Sequence, residues 1–350
     1  MTSLPDAPEP THRLRIDTEA LAHNWRALDA LSGKAETGAA VKANCYGLGV
    51  DTCVPVLRDA GCEHFFVAHW SEVHDVLKHV PAEQIAVLHG PLNSAEVDFA
   101  IALGVCPVIN SIPQAIRWVA GGGGVCHLMV DTGINRLGVS PDELESDAVQ
   151  ALDIDILMSH LASADEDGDT NALQLEAFRA SFGKVTYRRL SLSNSAGIAL
   201  GEDFAVDVTR PGLALYGGIP RRELADKVRQ VAYIEAAIIQ VREIGPGDRI
   251  GYNGEFTASK PMRIGTVSLG YADGFLRARG PGCNLRHGGR SLPLLGKVSM
   301  DMIVVDLTNA SHVGEGDWLD VPFDLQNAAQ QSSVSQYELL TVLGRRLHSR

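Results

Sequence analysis

The chain is 350 residues long, 45% hydrophobic and 21% charged, with a net charge of −13. That is ordinary globular composition, with length enough for two domains and a large core. The acidic balance, unbroken by any basic cluster, argues against nucleic acid and anionic membrane surfaces as partners, and no run is long and apolar enough to span a bilayer.

Residues 1–12 read as a polar, Pro-rich tail with neither the basic start nor the apolar stretch of a signal peptide. Cys45, Cys53, Cys62, Cys106, Cys126 and Cys283 form no C-x-x-C pair, so reduced, buried thiols in a cytoplasmic protein are expected. From there to residue 232, short apolar runs alternate with helical periodicity. Asp17-Thr18 caps a helix that carries Leu21, Trp25 and Leu28 on one face. Strands are expected at 39–41, 65–68, 85–88, 105–109, 127–130, 154–159, 190–193 and 207–209. Helices are expected at 94–103, 113–120, 142–152 and 171–182, several ending at a glycine such as Gly61, Gly104 or Gly183. This is an α/β pattern that demands a mainly parallel sheet. Eight units over 13–232 fit a closed (β/α)8 TIM-like barrel better than the alternative, an open doubly wound sheet. No strand is followed by Gly-x-Gly-x-x-Gly, so the dinucleotide form of the open sheet lacks its signature. Beyond 232 the texture changes to short strands at 236–244, 263–268, 292–295, 302–307 and 318–321, separated by Gly, Pro and Asp. A mostly antiparallel β domain over 233–350 is expected, with one helix at 336–347.

A barrel works at the carboxyl ends of its strands. Lys42, Arg136, His160, Ser195 and Arg210 fall at those ends. Lys42 follows an apolar strand and precedes glycine turns; burial there lowers an amine's pKa and suits it to Schiff-base chemistry. Asn194-Ser195-Ala196-Gly197 opens a helix, and Arg210-Pro211-Gly212-Leu213 pairs a fixed guanidinium with accessible amides. In the second domain, Tyr271 sits between Gly270 and Gly274 at a strand end, placed to project into a cleft. His64, His69, His74 and His79 recur every five residues, about 140° apart on a helix, so they share no face and no metal site is expected. Asp165 to Asp169 lacks the Asp and the bidentate Glu of a calcium loop and reads as an acidic entrance loop.

Seven segments in order then resemble one family. They are Val41-Lys42-Ala43-Asn44-Cys45-Tyr46-Gly47-Leu48-Gly49, the Asp131 to Gly138 loop, Ser159-His160-Leu161, Asn194-Ser195-Ala196, Arg210-Pro211-Gly212-Leu213, Gly270-Tyr271-Ala272-Asp273-Gly274 and Val298-Ser299-Met300-Asp301. From Arg15 to Arg346 the chain resembles bacterial alanine racemases, enzymes that use pyridoxal 5′-phosphate (PLP). The resemblance implies that Lys42 holds PLP and is one catalytic base. Tyr271, supplied by the partner of a homodimer whose subunits share each active site, would be the other. It implies that Tyr46, Asn194, Ser195, Gly212 and Leu213 surround the phosphate, that Arg210 faces the pyridine nitrogen, and that His160 lies behind it. Arg136 and Met300 would meet the carboxylate of alanine, and the D-alanine formed would feed peptidoglycan. Three positions depart from the family pattern: Met129 for a modified lysine that orients the arginine, Lys297 for an entrance arginine, and Gly344 for a phosphate-touching tyrosine. The alternatives are a serine-preferring or broad racemase, a barrel decarboxylase, against which Tyr271 argues, and a non-catalytic PLP carrier, against which the β domain argues.

Overall fold

The computed structural model describes residues 8–347. They form two compact units, Thr18–Arg229 and a second made of the stretch up to Asp17 together with the stretch from Gln230.

The first unit is an eight-stranded parallel barrel. Its sheet runs Glu36–Thr37, Val208–Thr209, Tyr187–Ser191, Asp153–Met158, Val125–Met129, Cys106–Ile109, Ile85–Val87, Phe65–Val67, Ala39–Ala40. The first and last members are one strand interrupted at Gly38, and that strand closes the ring. Gly38 N–H donates to Thr209 O at 2.9 Å on one side, and Ala39 N–H donates to His64 O at 2.7 Å on the other. A Cβ at position 38 would stand 2.8 Å from the Phe66 ring and 2.9 Å from His64 O, so closure requires glycine here. Phe66, Ala86, Val108, Met129, Ile156, Met158 and Val208 fill the barrel as an apolar plug.

The surrounding helices follow from local chemistry. Helix Thr18–Ser32 buries Leu21, Trp25 and Leu28 on one face, with Asn24 among them. The Asn24 amide donates to Leu215 O and Arg229 O, at 3.1 and 2.8 Å. Asn93 and Ser111 cap Ser94–Leu103 and Ile112–Ala120. The helix expected at 142–152 is shorter: a 3-10 turn over Glu143–Glu145 and a helix over Asp147–Gln150. Ser146 breaks it, because its hydroxyl donates to Glu143 O at 2.6 Å and its backbone turns extended.

The second unit is antiparallel. Strand Ala232–Ile244 pairs with Met262–Val267 along its later half and with Trp318–Val321 along its earlier half. The sheet comes round through Ile303–Asp306, Arg290–Leu295 and Asn284–His287. Several features differ from expectation. His12–Ile16 is a strand paired with Ala232–Ala236, so the barrel unit begins at Thr18 and not at residue 13. The strand alternates: Arg13 pairs with Glu235 and lies 4.3 Å from the Trp318 ring, and Arg15 lies 4.2 Å from the Tyr233 ring. The expected tail falls partly at residues 1–7, outside the described residues. A helix at Leu325–Ser332 and the strand Asn284–His287 were also unforeseen, and the expected C-terminal helix is Gln336–Thr341 followed by a 3-10 turn at Arg345–Leu347. Among the described residues no helix is long and apolar enough to cross a membrane.

Candidate active site

The strand Ala39–Ala40 hands the chain through buried Val41 to half-buried Lys42 at the carboxyl end of the barrel. The next four residues are wound left-handed: φ is 54° at Ala43, 55° at Asn44, 55° at Cys45 and 54° at Tyr46. For side-chain-bearing residues this costs about 1–2 kcal/mol each. Hydrogen bonds hold the turn. Gly47 N–H donates to Ala43 O at 2.8 Å, and Gly49 N–H donates to Asn44 O at 3.0 Å. The Asn44 side chain accepts from Val50 N–H at 2.9 Å. The Glu72 carboxylate accepts three backbone N–H groups, from Ala43 at 2.5 Å, Ala68 at 2.7 Å and His69 at 3.0 Å.

Lys42 stands among cations. Burial lowers its pKa, Arg136 and Arg210 lower it further, and Glu72 alone opposes them. His160 is pushed down to about 3, first by burial and then by Arg210, Arg136 and Lys42, so its imidazole is neutral. Arg210, ending the strand Val208–Thr209, is fully enclosed; burial brings it down to about 10, and it remains a cation at neutral pH. Its guanidinium donates to the Ser191 hydroxyl and, at 2.7 Å, to Ser159 O. Both acceptors are uncharged. Arg136 belongs to a loop built on Asp131, whose carboxylate accepts the N–H of Gly133, Asn135 and Arg136 at 2.8, 3.1 and 3.0 Å. The Arg136 guanidinium itself meets no side-chain partner among the described residues; Asn135 turns back to Gly133 O. Met129, which stands where the family pattern has a modified lysine, lies in the apolar plug.

Beside this group is a cradle. The N–H groups of Gly212 and Ala214 converge on Ser195 Oγ at 2.9 and 3.1 Å. A Cβ on Gly212 would collide with the Tyr46 hydroxyl, so only glycine leaves that space open. Tyr46 stacks on Tyr216 with centroids 4.9 Å apart, and Tyr216 Oη donates to Ala40 O at 2.9 Å. Leu213 is buried and opens the 3-10 turn Leu213–Tyr216. Asn194 uses its side-chain oxygen to cap the next helix, accepting from Gly197 N–H at 2.9 Å.

The β unit brings Tyr271 and Met300 together. Tyr271 N–H donates to Ser299 O at 3.1 Å and Ala272 N–H to Met300 O at 3.0 Å. Met300 is 52% exposed, and its own N–H makes no hydrogen bond among the described residues. The Arg277 guanidinium lies 5.0 Å from the Tyr271 ring centre. At Gly344 a Cβ would strike Ala272 O, so this backbone has no room for a tyrosine. Lys297 lies 3.6 Å from Glu255. In the acidic loop, Asp167 is engaged by Arg221. Sequence reasoning missed Glu72, Asp131 and Arg277. Only Glu72 left a trace, a glutamate three residues after the His69 that precedes a helical turn.

Comparisons with known proteins match both units of the chain. The alanine racemase N-terminal domain model matches residues 16–220, and the C-terminal domain model matches 231–350. An alanine racemase of Methylobacterium sp. is 39% identical over 95% of this chain and 96% of that protein. Two Agrobacterium fabrum relatives, named biosynthetic and catabolic, are 39% and 37% identical, each over 95% of this chain. They cover 92% and 90% of those proteins. Alanine racemase from Bartonella henselae, solved with covalently bound pyridoxal phosphate, superposes with a TM-score of 0.90 at 32% identity, covering 97% of this chain and 98% of that one. The Pseudomonas aeruginosa biosynthetic enzyme gives 0.87 at 30%, over 97% and 98%. Both halves of the chain are matched nearly end to end, and the chain belongs to the alanine racemase family.

Proposed function

We propose that the chain interconverts L- and D-alanine with PLP held at the carboxyl end of the barrel, in a cytoplasmic homodimer whose sites are shared. The observation that supports this most is Lys42 itself, a half-buried amine whose two cationic neighbours favour its neutral, nucleophilic form. The residues present fit the cofactor. Lys42 Nζ would hold it covalently. Ser195 Oγ, Tyr46 Oη and the backbone at Gly212 and Leu213 would make a polar cradle suited to a phosphate. Arg210 would face the ring nitrogen, and because it stays protonated at neutral pH it offers that nitrogen a hydrogen bond rather than a proton. When bound, the cofactor supplies a conjugated ring that spreads the negative charge left on the α-carbon.

The protein's part is proton movement on two faces. Once the substrate's amine had displaced it from the cofactor, Lys42 Nζ would take the α-proton from one face, and Tyr271 Oη from a second copy of the chain would return a different proton to the other. One base ends protonated and the other deprotonated; the opposite direction restores them. Arg136 and the Met300 N–H would hold the substrate carboxylate. His160, neutral, makes no second acid beside Arg210. We place the product in cell-wall synthesis.

The test is incubation with single L-amino acids in heavy water, following α-proton exchange and chirality. Alanine should exchange and racemise, and borohydride should fix PLP on the Lys42 peptide. Fixation on Lys34 or Lys297, or racemisation of serine ahead of alanine, would overturn the assignment. Mixing Lys42→Ala with Tyr271→Phe subunits should restore partial activity; exchange of subunits without any recovery would exclude a shared site.

A further inference from the structure

The geometry points to Glu72 as the positioning residue of this site, a clamp that fixes the Lys42 loop and links it to the neighbouring strand. The inference rests on Lys42 being the cofactor lysine. One carboxylate accepts Ala43 N–H, immediately after Lys42, and also Ala68 and His69 N–H, just beyond the strand Phe65–Val67. It therefore bridges the carboxyl ends of two adjacent barrel strands. Charge-assisted bonds of this kind are about twice as strong as neutral ones. They fall where the backbone needs them, at the start of four successive left-handed residues that carry the chain from Lys42 to Tyr46. The same turn thus sets both the amine and the hydroxyl beside Gly212. If the clamp is released, the left-handed turn loses its anchor and the two groups lose their fixed separation.

Glu72 also acts on Lys42 through charge. The amine is faced by Arg136 and Arg210, and its field reaches the imidazoles of His160 and His89; Glu72 is the one carboxylate that raises it. Removing that charge makes the amine lose its proton at lower pH.

The experiment uses the full chain, freed of cofactor, as wild type, Glu72→Gln and Glu72→Ala. Amide hydrogen exchange is mapped, and the rate of PLP capture on Lys42 is followed against pH. Glu72→Gln keeps the size of the side chain, so it folds even if the alanine variant does not. In both variants the amides of residues 43–46 should exchange about tenfold faster, with the helices Ser94–Leu103 and Ile112–Ala120 unchanged. The pH midpoint of capture should fall by roughly half a unit or more, and PLP should bind about tenfold more weakly. In the reconstituted enzyme kcat should fall while KM for alanine moves less than about twofold, because Glu72 has no role in holding the substrate. Unchanged exchange at 43–46, a rise spread evenly over the barrel, or a stationary midpoint would overturn the inference. Wild-type chain that captures PLP on Lys42 but racemises nothing would instead sink the functional reading, and exchange and capture would still decide the role of Glu72.

Discussion

The two ends of the barrel carry similar side chains and opposite logic. At the amino end, Arg189 donates to both oxygens of Asp155, at 3.2 and 2.6 Å, and also to Glu36. His64 and His127 complete the group, around a cavity of about 450 Å³ walled by Phe66, Ile85, Trp118 and Val125. At the carboxyl end, Arg210 and Arg136 pair with no carboxylate among the described residues, and Glu72, near Lys42, is engaged by backbone amides. His127 and His160 are each pushed down to about 3, burial being the largest cause for both. A perturbed histidine therefore does not tell the two ends apart. The missing counter-charge does. A protein that only needs to stand pairs its buried cations; one that leaves two arginines without a counter-charge keeps them for groups that arrive from outside, in our proposal the cofactor ring and the substrate carboxylate.

Exchanging each arginine for leucine is the strongest way to break this contrast. Arg210→Leu should reduce racemisation by about 10²- to 10³-fold, while unfolding free energy in urea changes by less than about 1 kcal/mol, since an unpaired buried cation is removed. Arg189→Leu should do the reverse. It strands Asp155 and leaves Glu36 with His64 alone, and stability should drop by roughly 1–3 kcal/mol, discounted for the partial exposure of that cluster. Activity per folded molecule should stay within about twofold. Equal losses of activity in both variants would erase the distinction between the ends.

Acid should touch both ends alike. A histidine at about 3 in the fold and near 6.5 when unfolded binds its proton preferentially in the unfolded chain. Its stabilising contribution is complete above about pH 6.5 and is lost as the pH falls toward 3. Replacing His127 or His160 with Gln should flatten the decline of Tm between about pH 6.5 and 4. An unaltered slope in both variants would show that neither ring is held neutral. The smallest effect concerns the free Arg136 guanidinium. Chloride at constant ionic strength should lower KM for L-alanine about threefold by serving as a counter-ion. A KM indifferent to chloride would mean that Arg136 needs none.

The barrel was legible because its signal is local: short apolar runs, glycine stops and caps recur at regular spacing. Lys42, Arg136, His160, Ser195 and Arg210 could be placed at the barrel's carboxyl end because a strand's carboxyl end can be read from the strand. Glu72 and Asp131 were not, since their work is to accept backbone amides, and a carboxylate in a loop looks the same whether it faces water or three N–H groups. The Asn284–His287 strand was hidden by weak periodicity, although Gly288 and Gly289, both at positive φ, form the two-residue turn that pairs His287 with Arg290. His12–Ile16 was missed because its partner is far away in sequence.

That distance has a consequence during synthesis. His12 pairs with Ala236, 224 positions later. At about 5–20 residues per second the ribosome takes roughly 10–45 s to make that partner. Throughout, His12–Ile16 is a strand with nothing to bond to, the condition in which chains stick to one another. Its alternation of Arg13 and Arg15 with Leu14 and Ile16 puts a positive charge at every second position, a pattern that disfavours pairing with a neighbouring chain before the arginines come to lie on Trp318 and Tyr233.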